Sequence, residues 1–338
     1  MTKNKLNIIE NTKNLLKFSK YTWILLGIIL LASIIRFYYF PFEVPLSSDA
    51  LYYFWYSSDI FQIGKLPNDW SPSNNGWPIF VSLFFNVFDS KDVFTLMQIQ
   101  KLLSVVSSIL TIIPVYFLCK KFVARKFAII GASLVAFDPR LMINSFLGAT
   151  DPLYLLLITS SLVLFLYSDK KLVYFSFVLV SLATIIRAEG LIFLLVLSVM
   201  FFIRHRKENW KIIGKYLILL VIFILIILPI SIYRVDVIGN DGIFMRSVAN
   251  GNQLVSDFTN NNSVEDNSVE DNSVEDNSGI INGLKTFVKY LIWVMIPNFI
   301  IFIPLGIFLI FRNRNFDKNT IILSLGIMSI PALFAYTV

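Results

Sequence analysis

The sequence predicts an all-α fold, a polytopic transmembrane helical bundle of about nine spans with two outer loops. Hydrophobic residues fill 56% of the 338 positions, Phe alone accounting for 32, and the mean hydropathy is +0.71. A single soluble core cannot bury that much apolar surface, so lipid must solvate part of it. Charged residues make up only 15% of the chain and fall in clusters between apolar runs.

A spanning helix needs roughly 17–25 apolar residues. Runs of that kind lie at 21–40, 97–119, 127–144, 152–168, 213–233, 290–311 and 320–338. The stretch 172–203 is too long for one span and is broken by Arg187, Glu189 and Gly190, so it reads as a hairpin of two helices, 172–186 and 191–203. GWPIFVSLFFNVF (76–88) is apolar but short, and is expected to be an interfacial or re-entrant helix.

Basic residues orient the arrangement. With a cytoplasmic N-terminus, the inner segments are 1–20, 120–126, 169–171, 204–215 and 312–319, and they hold 19 of the 29 Lys and Arg residues. Their acids are Glu10, Asp169, Glu208 and Asp317. This asymmetry follows the positive-inside rule and places the chain in the cell membrane as a multi-pass protein. The net charge of +7 therefore marks topology, and nucleic acid is not an expected partner. The lone Cys119 excludes an internal disulfide or a thiolate metal site, and His205, in RHRKENWK, reads as part of a solvated basic loop.

The expected organisation is a cytoplasmic N-terminal segment (1–20), a seven-helix module (21–233) with its outer loop at 41–96, a second outer loop (234–289), and two further helices (290–338). The second loop contains NSVEDNSVEDNSVEDNS at 262–278, whose acidic repeat lacks aromatic residues and is expected to be disordered. The chain stops inside an apolar run, IPALFAYTV, which leads us to expect a fragment of a longer protein.

Ionisable residues at membrane depth are costly and point to function. Arg36 closes the first span, Asp49 follows it in SSDALYYFWYSS, Asp151 opens a helix in SFLGATDPLYLLL, and Arg187 with Glu189 forms the turn of TIIRAEGLIFLL. The topology assigns all of them to the outer face. Each also has a structural explanation: interfacial snorkelling for Arg36, helix capping for Asp151-Pro152, mutual neutralisation for Arg187 and Glu189, and an aromatic belt for Tyr52, Tyr53, Trp55 and Tyr56. The aromatic run beside Asp49 is expected to shield its carboxylate from water.

The stretch from Ser47 to Phe80 resembles the first outer loop of the GT-C superfamily of membrane glycosyltransferases. The shared landmarks are Asp49, Tyr52-Tyr53, Gly64-Lys65-Leu66-Pro67 and Trp77-Pro78. FDPRLMINSFLGATDPLYLLL is similar to the second outer loop of these enzymes, and IIRAEGLIFLL to the R-x-E-G turn of many prokaryotic members. The resemblance covers roughly 20–235. Position 50 is Ala, not the acid that pairs with Asp in protein O-mannosyltransferases, and the W-W-D-Y-G of oligosaccharyltransferases does not occur. The branch is therefore left unassigned.

The resemblance implies an inverting enzyme on the outer face that takes a sugar from a polyprenyl-phosphate-linked donor to a protein, lipid or glycan acceptor. In that reading Asp49 is the catalytic base, and Asp151 assists it or shares a divalent cation with it, Mg2+ or Mn2+. Arg187 is the first choice for the leaving phosphate and Arg36 the second, with Glu189 beside Arg187. Tyr52, Tyr53, Trp55 and Trp77 are expected to stack on sugar faces. Two other readings are a transporter or flippase of lipid-linked saccharides and a non-catalytic membrane scaffold. Neither explains acids and arginines gathered at one surface.

Overall fold

A computed structural model describes residues 20–68, 75–88, 92–167, 170–206, 210–239 and 315–335, with scattered single positions between them. The described residues form eleven helices and no strand. The expected span 290–311, the repeat at 262–278 and almost all of the N-terminal segment lie outside them.

Helix α1 is Lys20–Tyr38, an apolar run that ends ahead of Pro41. Within the expected outer loop 41–96 lie α2 (Ser48–Ile63), a helix the sequence reading did not place, and α3 (Gly76–Phe88), the short apolar helix it did. Gly64 closes α2 in the left-handed conformation, φ 73°, its N–H bonding to the Ile60 carbonyl. Helix α4, Val93–Phe122, starts on Asp92, which caps Phe94 and Thr95.

The expected span 127–144 is not one helix. It divides into α5 (Arg125–Ala136) and α6 (Pro139–Phe146), bent by 45°. The cause is local. Pro139 has no N–H to continue the ladder, and the Arg140 N–H turns to the Asp138 carboxylate at 2.8 Å. The Ala136 carbonyl thereby loses its normal helical donor.

Then follow α7 (Asp151–Leu166), α8 (Lys170–Ile186), α9 (Gly190–His205), α10 (Lys211–Ile238) and α11 (Phe316–Ala335). The hairpin read from 172–203 is thus two helices. His205, expected in a loop, is instead the last residue of α9, its ring 4.4 Å from that of Phe201. Among the described residues, three helices are long and apolar enough to cross a membrane, Lys20–Tyr38, Val93–Phe122 and Ile212–Asp236, or four if the bent pair counts as one span. They mark a membrane protein. A 16-residue helix such as α7 rises about 24 Å at 1.5 Å per residue, short of a hydrocarbon layer of about 30 Å, so nine full crossings do not follow from helix length.

The chain divides into two compact units, residues 1–66 with 78–163, and residues 67–77 with 164–338. In the first, α1, α4 and α5 pack around Ala32, Val105, Ile112, Ala128 and Ala132. Three of these five are alanines, which let helix backbones approach closely where lipid offers no hydrophobic drive. In the second, α8, α9 and α10 bury Phe177, Phe193, Val196 and Leu197. Arg204 fastens this unit: its guanidinium lies 4.5 Å from the Phe165 ring and 4.4 Å from the Phe316 ring and donates to the Phe165 carbonyl at 2.6 Å.

Candidate active site

The start of α4, MQIQK (97–101), is a row of donors facing loop carbonyls. Gln98 Nε2 donates to the Phe42 carbonyl at 2.8 Å. Lys101 Nζ donates to the Pro41 carbonyl at 3.2 Å and also to that of Val44. Gln100 Nε2 gives one proton to the Ala50 carbonyl at 2.9 Å and the other to the Gly148 carbonyl at 2.8 Å. Gln100 and Lys101 are both buried. Gln98 and Gln100 were missed, although polar residues opening an apolar helix are a signal for such anchors.

These bonds bring two acids to one end of the first unit. Asp49 sits beside Ala50 in the first turn of α2, and Asp151 opens α7 three residues after Gly148. Asp49 is exposed, so the aromatic run does not shield it as expected. Asp151 is half-buried, and Asn144 Nδ2 donates to its Oδ2 at 3.4 Å. Gly148 is left-handed, φ +72°, and a Cβ there would lie 2.9 Å from Leu46 Cδ2 and 3.5 Å from Gln100 Cγ. The left-handed backbone favours glycine here, and an added Cβ would also press on the Leu46 side chain. Ser48, next to Asp49, is a non-glycine residue at φ 52°, a conformation of the kind that concentrates at functional sites.

The aromatic candidates separate by exposure. Tyr52 is 41% and Trp55 44% exposed, whereas Trp77 is fully buried and presents no ring face to a ligand. Tyr53 is half-buried. Arg36 is also buried, 1% exposed. Its Nη1 donates to the Ala136 carbonyl at 2.7 Å, the group orphaned at the α5–α6 bend, and its Nη2 reaches Ser108 Oγ at 3.4 Å. A phosphate would have to displace these bonds.

In the second unit, the turn 187–189 joins α8 to α9. Arg187 grips Glu189 with two donors, Nη2 to Oε1 at 2.8 Å and Nε to Oε2 at 3.3 Å. Their side chains are 28% and 41% exposed, so the pair stays open to ligand. Gly190 lies so close to Thr184 that a Cβ would come 2.7 Å from its backbone, which fixes the turn. Arg187 and Glu189 belong to one unit and Asp49, Asp151 and Arg36 to the other.

Among the described residues, no group of three or more His, Cys, Asp or Glu side chains is placed to hold a metal.

Solved structures with a fold similar to this all-helical one include those of an oligosaccharyltransferase from Archaeoglobus fulgidus. Its complex with Zn and sulfate matches 93% of this chain and 47% of its own at 14% identity, TM-score 0.59. The apo form matches 64% of this chain and 30% of its own at 17% identity, TM-score 0.51. The same organism's AglB, in complex with an inhibitory peptide and a dolichol-phosphate, matches 62% and 29% at 17% identity, TM-score 0.50. The likeness is one of fold, and this chain spans less than half the length of those chains. No protein-family model matches the sequence, and no curated protein does.

Proposed function

We propose that this chain is the membrane module of a glycosyltransferase that moves a sugar from a polyprenyl-phosphate-linked donor to an acceptor at the outer face of the membrane. The observation that carries this is the tethering of the Asp49 loop to the Asp151 loop through Gln100, within a fold shared with an oligosaccharyltransferase. A lipid-linked donor keeps its tail in the bilayer and presents phosphate and sugar where these loops lie.

Asp49, exposed at the start of α2, accepts the proton of the acceptor hydroxyl or amide as that atom attacks the anomeric carbon. The bond from that carbon to the phosphate oxygen breaks in the same displacement, inverting the centre, and the phosphate leaves with the electron pair. In the other unit, the partly exposed Arg187 guanidinium offers a phosphate group a planar fork of donors, and Glu189 orients that fork. Asp151 supports Asp49. Mg2+ or Mn2+ held by Asp49 and Asp151 would neutralise phosphate charge. Tyr52 and Trp55 offer their exposed rings to the sugar, while Arg36 and Trp77 support the fold.

The test is incubation of the purified protein, reconstituted in lipid, with a panel of polyprenyl-phosphate sugars, followed by mass spectrometry of candidate acceptors. Asp49→Asn should insert and fold normally but lose transfer by about 100-fold or more. A variant that transfers as fast as the parent would sink the assignment. Movement of the donor across the bilayer without a new glycosidic bond would favour a flippase.

A further inference from the structure

We infer that Gln100 is a positioning residue that sets the separation of the two acid-bearing loops, an inference that rests on the roles proposed for Asp49 and Asp151. Its side-chain NH2 has two protons, and each goes to a different loop: one to Ala50, adjacent to Asp49, the other to Gly148, three residues before Asp151. Both acceptors are carbonyls, so the amide can face them only with its nitrogen. Its Oε1 is left buried without a hydrogen-bond partner among the described residues, which favours a Gln here for its donors alone. The bonds of Gln98 and Lys101 go instead to the first loop, at Pro41, Phe42 and Val44.

Gly148 makes the arrangement close-fitting. Its missing Cβ leaves room for Leu46 of the first loop and for the Gln100 stem. The two loops and α4 therefore meet around one amide, and a shift there moves both carboxylates. Reactions that depend on positioned groups lose about 100-fold in rate for displacements near 1 Å.

Two variants open the clamp from opposite sides. Gln100→Met keeps the side chain's length and removes the donors, and Gly148→Ala pushes the second loop off the amide. Spin labels on Ile63→Cys, at the far end of the α2 helix that carries Asp49, and on Leu147→Cys, both exposed at 52% and 49%, in a Cys119→Ser background would report the distance between α2 and the second loop by pulsed electron resonance in nanodiscs. We expect one narrow distance in the parent and a broadened or displaced distribution in either variant. With a polyprenyl-phosphate sugar as substrate, kcat should fall by about 100-fold while KM for the donor stays nearly constant, because no substrate contact is removed.

Unchanged distances in both variants would overturn the inference whatever the activity, and so would displaced distances with an unchanged kcat. Displaced distances in a protein that transfers no sugar in any form, parent included, would instead remove the glycosyltransferase reading and leave the clamp between loops standing. If one variant fails to fold, the other decides.

Discussion

Arg36 and Ala136, 100 residues apart, are joined by a 2.7 Å hydrogen bond from the guanidinium to the main-chain carbonyl. The bond mends the break at Pro139, where the helical donor has been diverted to Asp138. Arg36→Leu should leave that carbonyl unpaired among apolar side chains and cost about 1–3 kcal/mol, lowering the Tm in detergent. Transfer per folded molecule should be retained. Loss of transfer at an unchanged Tm would return Arg36 to the phosphate.

Arg187→Gln should reduce kcat by about 100- to 1000-fold, the usual effect of removing a donor aimed at developing charge. Glu189→Gln leaves the guanidinium in place without its carboxylate partner. It should have a smaller effect, expressed mainly in KM for the donor. The two variants compared in steady-state kinetics separate phosphate binding from a turn held by an ion pair.

Asp92 gives a pH dependence. The Thr95 hydroxyl, the largest cause, and the Thr95 and Phe94 amides hold its carboxyl below the usual carboxylate range. A depressed folded-state pKa stabilises the cap above the unfolded value, and that stabilisation disappears as pH falls through the folded value. Asp92→Ala should therefore lower the Tm at neutral pH, with the difference from the parent shrinking in acid below the normal Asp range. Thr95→Val should reproduce part of the effect.

Arg204 lies against the rings of both Phe165 and Phe316. Arg204→Lys keeps the charge but loses the planar stack and the fixed donor to the Phe165 carbonyl. It should lower the Tm by an amount equivalent to about 1–2 kcal/mol, with little change in KM.

Chelation should slow transfer and added Mn2+ should restore it. Asp151→Asn should raise the Mn2+ needed for half-maximal rate by about 10- to 100-fold. A rate indifferent to chelation would remove the cation from the proposed site.

Most helices were legible because apolar runs and their breakers are local. Gly190 with its neighbouring charges divided 172–203, and Asp151-Pro152 marked the start of α7. The bend at Phe137-Asp138 was hidden inside a run of acceptable length, although Asp138-Pro139 has the same cap-then-proline form as Asp151-Pro152. Burial was harder to read. Trp77 and Arg36 look like surface groups on an outer boundary, but whether a ring or a guanidinium faces inward depends on partners far along the chain. Gln100 was invisible for that reason: its acceptors are main-chain carbonyls, 50 and 48 residues away, and carbonyls have no letter in a sequence.

The donors of MQIQK grip backbone, and backbone is the same whatever the side chains. Gly148 and the acids apart, exposed side chains in residues 41–50 and 147–150 can therefore change through evolution without the loops coming loose from α4. The scaffold separates attachment from recognition. Relatives of this protein could share one frame, hold their acids at one spacing, and still diverge in the sugars and acceptors they admit.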